Sequence, residues 1–235
     1  MIKLMSDQHG LGDTLLFTPI VKHLKARNIE CEFLLPKEKE RFKILFDGLC
    51  NVNLISKEEE SKIEPTKNIG YNGTYILRKL RNFFEDSECL DIRPIVLHSK
   101  KESEIWAFNF IKNIKNPVIF VPNCSKRWHD TRSLSERLSN SIINDLIKNN
   151  HTPIICDSSD NPSNLDYELK LTDLDLSKYI SLLRKVGIYF GCNTGDMNLA
   201  IAVGSICHVF EPTNSAFFNK SEYDYDHPSI IYYNI

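Results

Sequence analysis

Apolar positions along the chain switch repeatedly between short continuous runs and helical spacing. Ile2 to Ser6 reads as a first strand. Thr14 to Arg27 then carries Leu15, Leu16, Ile20, Val21 and Leu24 at helical spacing. Pro19 leaves two readings, a helix kinked there or one that starts with Thr18 as cap and Pro19 as its first residue. Glu30 to Leu35 predicts a second strand closed by Pro36, followed by a helix over Glu38 to Phe46 and a short strand over Val52 to Ile55. Ser56 to Lys67 is charged and poor in apolar residues, as expected of a surface loop. Tyr75 to Phe84 reads as a helix with Arg78, Lys79 and Arg81 on its polar side. Ile105 to Ile114 has apolar residues on nearly every face, which fits a buried helix or a cover over a cleft.

The second half repeats the alternation more cleanly. Val118-Ile119-Phe120-Val121 is a continuous apolar run, the pattern of a parallel strand buried on both faces. A helix over Ser135 to Lys148 follows, with Leu138, Ile142, Ile143, Leu146 and Ile147 as its stripe. Strands over Pro153 to Cys156, Val186 to Phe190 and Ile206 to Phe210 alternate with helices over Leu176 to Lys185 and Met197 to Val203. Strands alternating with helices predict an α/β fold of doubly wound parallel sheets. At 235 residues the chain has room for two small units, and the Lys115-Asn116-Pro117 turn divides it into residues 1–115 and 116–235.

Charge and cysteine usage narrow the functional classes. A formal net charge of −2 gives no electrostatic reason to expect nucleic acid as partner. No run approaches the roughly 20 apolar residues of a membrane span, and the first residues lack a signal-peptide pattern. The seven cysteines are odd in number, without CxxC spacing, and several fall in predicted strands. Reduced, buried thiols in a cytoplasmic protein are therefore expected, rather than disulfides or a zinc site. No His/Asp/Glu cluster has metal-ligand spacing, so no metal is expected.

Candidate chemistry sits at two glycine turns. His9-Gly10-Leu11-Gly12-Asp13 and Asn193-Thr194-Gly195-Asp196 each follow an apolar run and open a helical segment. Free amides at a helix start attract anions, so the two turns suggest two half-sites facing one cleft. Asp13 at such a start reads either as a helix cap or as a general base held at the cleft edge. Ser125-Lys126-Arg127-Trp128-His129 lies beyond a strand's carboxyl end, where Lys126 and Arg127 could neutralise a diphosphate or could form a solvated basic loop. Thr194 can cap the helix that follows it, while Gly195 lets its first-turn amides approach an anionic ligand. Glu211 occupies the corresponding loop one strand over, either as a turn residue before proline or as a ligand contact.

In order along the chain, these segments resemble glycosyltransferase family 9, the heptosyltransferase-like enzymes of GT-B fold. Gly10-Leu11-Gly12-Asp13-Thr14-Leu15-Leu16-Phe17-Thr18-Pro19 is similar to the family's Gly-Asp dipeptide before an apolar, Thr-Pro-containing helix. Ser125-Lys126-Arg127-Trp128 resembles its Lys-x-Trp loop. Thr194-Gly195-Asp196-Met197-Asn198-Leu199-Ala200-Ile201-Ala202-Val203-Gly204 resembles its Asp-Thr-Gly-x-x-His-Leu-Ala-Ala-Ala-x-Gly element, and Phe210-Glu211-Pro212-Thr213 its Phe-Gly-Pro-Thr. Three positions depart from the pattern, with Asn193 for Asp, Asn198 for His and Glu211 for Gly.

The resemblance implies two Rossmann-like domains in a GT-B arrangement, an acceptor-binding N-terminal one and a nucleotide-sugar-binding C-terminal one. It implies an inverting, metal-independent transfer of a heptose or similar sugar, with Asp13 as base and Gly10 and Gly12 on the acceptor side. Donor contacts would come from Lys126, Arg127, Asn193, Thr194, Gly195, Asp196, Asn198 and Glu211. The nucleotide sugar, with ADP-heptose as one candidate, is a co-substrate, and no cofactor is implied. The acceptor would be a glycan, a lipid-linked molecule or a protein, with peripheral membrane contact allowed. Two rivals stand beside this reading: a nucleotide-sugar binding protein without turnover, and a Rossmann-type oxidoreductase. The oxidoreductase is weakened because Leu15 stands where the third glycine of its fingerprint would fall.

Overall fold

The structure, a computed structural model, describes residues 1–6, 10–63, 93–124, 132–211 and 228–235. It divides into two units, residues 1–98 and residues 99 onward, among those described. The predicted Tyr75–Phe84 helix lies outside the described residues.

In the first unit, strands β1 (Ile2–Leu4), β2 (Cys31–Pro36) and β3 (Asn51–Ile55) form a parallel sheet in that order. Between β1 and β2 run two helices, α1 (Leu11–Leu15) and α2 (Thr18–Ala26). Neither predicted reading of Pro19 holds as stated. The chain breaks at Leu16 and Phe17, with Phe17 in the cap position and Pro19 in the first turn, where its missing N–H costs nothing. Thr18 is buried: its hydroxyl donates to the Leu15 carbonyl (2.8 Å) and accepts from the Ile95 amide (2.8 Å).

Two further expectations change. The predicted helix over Glu38 to Phe46 is a 3₁₀ segment, Lys37–Phe46, that buries Phe42, Leu45 and Phe46. Phe46 stacks on Phe33 with centroids 4.2 Å apart, and Phe17 meets Phe33 edge-on at 5.2 Å. The start of the expected Ser56–Lys67 loop is instead helix α3 (Lys57–Lys62). Its capping box is complete, since the Ser56 hydroxyl accepts from the Glu59 amide and the Glu59 carboxylate accepts from the Ser56 amide (2.8 Å).

The second unit contains α4 (Lys101–Ile111), β4 (Pro117–Val121), α5 (Glu136–Lys148), β5 (Thr152–Asp157) and β6 (Lys170–Thr172). It continues through α6 (Leu176–Val186), β7 (Ile188–Cys192), α7 (Gly195–Ala202), β8 (Ile206–Glu211) and β9 (Ile230–Asn234). The six strands are all parallel, in the order β6-β5-β4-β7-β8-β9. Counted within the unit this is 3-2-1-4-5-6, the Rossmann order, with its reversal between β4 and β7. Strands β6 and β9 are too short or too near the end to stand out by pattern.

One face of this sheet packs Val118, Phe120, Ile155 and Cys192 against Ile142, Ile143 and Leu146 of α5. Full burial of such a side chain is worth about 1.5–3 kcal/mol. Residues of opposite parity, Ile119, Tyr189 and Cys207, are wholly buried on the other face, where α6 and α7 lie. Helix α4 packs on α6 through buried Ser103 and Ala107. The Lys100 amide donates to Ser177 Oγ (2.9 Å) and Arg184 to Ser99 Oγ (3.2 Å). These bonds tie α4 to the second unit, which begins at Ser99. The six cysteines among the described residues are free thiols, and burial pushes the Cys207 thiol up to about 12.

Two glycines are needed for different reasons. Gly187 ends α6 in the left-handed region, at φ 72°. Gly191 lies in β7 where it meets β4, and a Cβ there would come within 2.5 Å of the Val121 carbonyl oxygen and 2.6 Å of Tyr189 Oη. Gly187→Ala is expected to cost about 1 kcal/mol by its conformation alone. Gly191→Ala should cost more, about 1–3 kcal/mol, because backbone rather than a movable side chain stands in the way. Urea unfolding of both variants checks this, and a smaller loss at Gly191 would contradict it.

Candidate functional site

In the first unit the chain enters α1 through Gly10, whose φ of −74° and ψ of 160° any residue can adopt. A Cβ there would stand 2.5 Å from Asp13 Oδ2, so a side chain at this position would displace that carboxylate. The Asp13 carboxylate therefore folds back over Gly10 at the positive end of α1. Thr14 fastens the turn from below, its amide (3.0 Å) and hydroxyl (2.8 Å) both donating to the Gly10 carbonyl. Gly12 is inside α1, and Asp13 is half-buried. His9 lies outside the described residues.

In the second unit a polar edge forms at the carboxyl ends of β4, β5, β7 and β8, beside the reversal of strand order where open α/β sheets take ligands. After β7, Thr194 caps α7, its hydroxyl accepting from the Asp196 amide (3.2 Å). Asn198 donates from Nδ2 to the Thr194 carbonyl (3.1 Å). Gly195 is the first residue of α7 and carries no positive φ, so a side chain there meets no backbone strain. Asp196 turns back toward the protein. Burial raises its carboxyl pKa, while the Thr194 hydroxyl and the nearby Tyr179 oppose that shift.

Asn193 donates from Nδ2 to Glu211 Oε1, joining the ends of β7 and β8. Glu211 is 7% exposed, a buried acidic residue at the end of β8. A buried carboxylate needs partners, and a position that holds one is a candidate for function.

Sequence reasoning missed the support beside this edge. Asn123 Nδ2 donates to the Asn161 carbonyl (3.1 Å), and Asn161 Nδ2 donates to the Cys124 carbonyl (2.7 Å), tying the loop after β4 to the loop after β5. Asp157, whose side chain is 1% exposed, accepts from the Ser163 amide (2.7 Å) and hydroxyl (2.6 Å) and pairs with Lys170 at 3.1 Å. A polar residue directly after an apolar strand was the available signal for Asn123 and Asp157. The structure thus groups Asn193, Thr194, Gly195, Asp196, Asn198 and Glu211 in the second unit, and Gly10, Gly12 and Asp13 in the first. Lys126 and Arg127 lie outside the described residues. Among the described residues no three His, Cys, Asp or Glu side chains gather as a metal-binding group.

No protein-family model and no curated protein matches the sequence. Solved structures do match. The Escherichia coli ADP-heptose lipopolysaccharide heptosyltransferase II is similar at a TM-score of 0.65 and 11% identity, over 99% of this chain and 90% of that one. A glycosyl transferase family 9 protein from Veillonella parvula gives 0.66 and 12%, over 100% and 85%. The E. coli heptosyltransferase WaaC, solved with ADP-2-deoxy-2-fluoro heptose, gives 0.61 and 9%, over 99% and 93%. Over its whole length this chain has the α/β fold of the heptosyltransferases and of glycosyl transferase family 9.

Proposed function

We propose that the chain is an inverting glycosyltransferase that moves a heptose or similar sugar from a nucleotide-sugar donor to an acceptor hydroxyl. The observation that carries this reading is the likeness to heptosyltransferase structures over 99–100% of the chain, with a polar edge at the reversal of the second sheet. In this reading the first unit binds the acceptor, which is a glycan, a lipid-linked molecule or a protein. The second binds the donor, for which ADP-heptose is the first candidate because related folds were solved with it or its analogue. Transfer takes place in the cytoplasm.

Chemically the step is one displacement. Asp13 takes the proton of the acceptor hydroxyl, the freed oxygen bonds to the anomeric carbon, and the bond to the diphosphate oxygen breaks from the opposite face. The electron pair leaves with the nucleoside diphosphate, and the anomeric configuration inverts. Lys126, Arg127 and the first-turn amides of α7 stabilise the developing charge without a metal. Thr194, Asp196 and Asn198 hold that turn in shape. Glu211, fixed by Asn193, is an acceptor only and would repel phosphate, so it reads hydroxyl groups of the donor. The second reading, donor binding without turnover, draws on the same geometry, because Asn193 is engaged with Glu211 and Asn198 with the Thr194 carbonyl.

Asp13→Asn is expected to lower the transfer rate by about 10²–10⁴-fold while donor affinity stays within a few-fold. Turnover assays paired with donor titration check this, and near-normal turnover would return Asp13 to the role of a helix cap. Absence of turnover in the unaltered protein, with donor still bound, would favour the second reading.

Gly195→Val should leave the melting temperature nearly unchanged, since the backbone there is helical. Its side chain should nonetheless block approach of the diphosphate to the α7 amides. Calorimetric titration with a nucleoside diphosphate beside a thermal melt tests it. Unchanged affinity in a folded variant would remove this turn from the donor site.

A further inference from the structure

Strands β2 and β3 run parallel, with Glu32 opposite Asn51 and Phe33 opposite Val52. Carried one residue back, the same register sets Cys31 opposite Cys50 at the amino end of the pair. Alternation puts Cys31 on the sheet face of Phe33 and Cys50 on that of Val52, which is the same face. The two thiols meet there and hydrogen-bond to each other. Packed structure holds them in place. Phe33 stacks on Phe46, and the Cys50 amide donates to the Phe46 carbonyl (3.3 Å).

Accessibility separates this pair from the other described cysteines. Cys31 and Cys50 are half-buried, whereas Cys124, Cys156, Cys192 and Cys207 are buried. The expectation of buried thiols thus holds for those four and not for these two. Burial still raises both thiols, Cys50 to about 12, while the bond from Cys50 partly offsets the rise at Cys31. Proximity, not acidity, sets the pair apart. A disulfide needs a Cα separation of about 4.4–6.8 Å, and paired strands lie about 4.8 Å apart. Accessible disulfides are also the readily reduced ones.

We propose that Cys31 and Cys50 form a reversible thiol–disulfide exchange site for small disulfides such as oxidised glutathione. Cys31, as thiolate, attacks one sulfur of the small disulfide, whose S–S bond breaks and releases one thiol. Cys50, as thiolate, then attacks Cys31 in the mixed disulfide. The bond between Cys31 and Cys50 forms, and the second small thiol leaves. Two electrons pass from the cysteines to the small disulfide, and the two cysteine protons end on the released thiols. A reducing thiol runs the same steps backward. The pair includes none of the residues assigned to transfer, so this proposal stands or falls separately from the glycosyltransferase reading.

The full chain, incubated with oxidised glutathione, alkylated and cut with trypsin, provides the test by peptide mass spectrometry. Trypsin cuts between the two cysteines at Lys37, Lys39, Arg41 and Lys43, so a bridge appears as two linked peptides. A Cys31–Cys50 link, lighter by two hydrogens, is expected, and dithiothreitol should restore both thiols. Cys31→Ser should abolish the link. Cys50→Ser should leave Cys31 as a lasting mixed disulfide with glutathione, a product that the unaltered chain does not accumulate. Both cysteines alkylated after oxidation, glutathione retained on Cys31 of the unaltered chain, or a link from either cysteine to a different one would each overturn the proposal.

Discussion

Strands β4 and β7 pair directly although, among the described residues, two strands and two helices separate them in the chain. That pairing requires close backbone approach, and Gly191 supplies it by carrying no side chain against the Val121 carbonyl. The rest of the second unit follows from it. With β4 and β7 side by side, β5 and β6 extend the sheet one way and β8 and β9 the other. The connections therefore diverge at this seam, and the carboxyl ends of the two strands are left uncovered by either crossover. Asn123, Asn193 and Thr194 are at this opening because they follow β4 and β7 in sequence.

The opening is stiffened from both sides. The amide bonds from Asn123 to the Asn161 carbonyl and from Asn161 to the Cys124 carbonyl fasten one loop, and Asp157 fastens the next through Ser163 and Lys170. On the other side Asn193 and Glu211 join two strand ends. A site that binds a charged, flexible donor benefits from loops already held in place, since ordering them on binding would cost affinity. The family pattern resembled by this chain has an acid at the position of Asn193 and a glycine at that of Glu211. Here a carboxylate, Glu211, sits one strand over and accepts from the Asn193 amide.

Strand positions were legible wherever a buried parallel strand needs a continuous apolar run. Val118 to Val121 and Ile154 to Cys156 are examples, and the amphipathic stripe of α5 was equally plain. The turns at Gly10 and Thr194 were legible because a strand, a glycine and a helix start follow each other at fixed spacing. What escaped depends on contacts distant in sequence. Thr18 is read as a cap from its neighbours, but Ile95 claims its hydroxyl from 77 residues away. The bonds that hold α4 to α6 join Lys100 to Ser177 and Arg184 to Ser99 across 77 and 85 residues, which no local composition reveals. The α3 capping box was readable as Ser56-x-x-Glu59 and was hidden by the density of charge around it. The helix expected from Met197 begins at Gly195, because Thr194 caps it ahead of its first apolar residue.

In the proposed function the carboxyl edge of the second sheet holds the nucleotide sugar. Amide hydrogen exchange of the full chain, with and without saturating ADP-heptose, checks this. Slowed exchange is expected in the segments around residues 121–124 and 193–198, with the α5 and α2 helices unchanged. Protection confined to the first unit, or none anywhere at saturation, would contradict it.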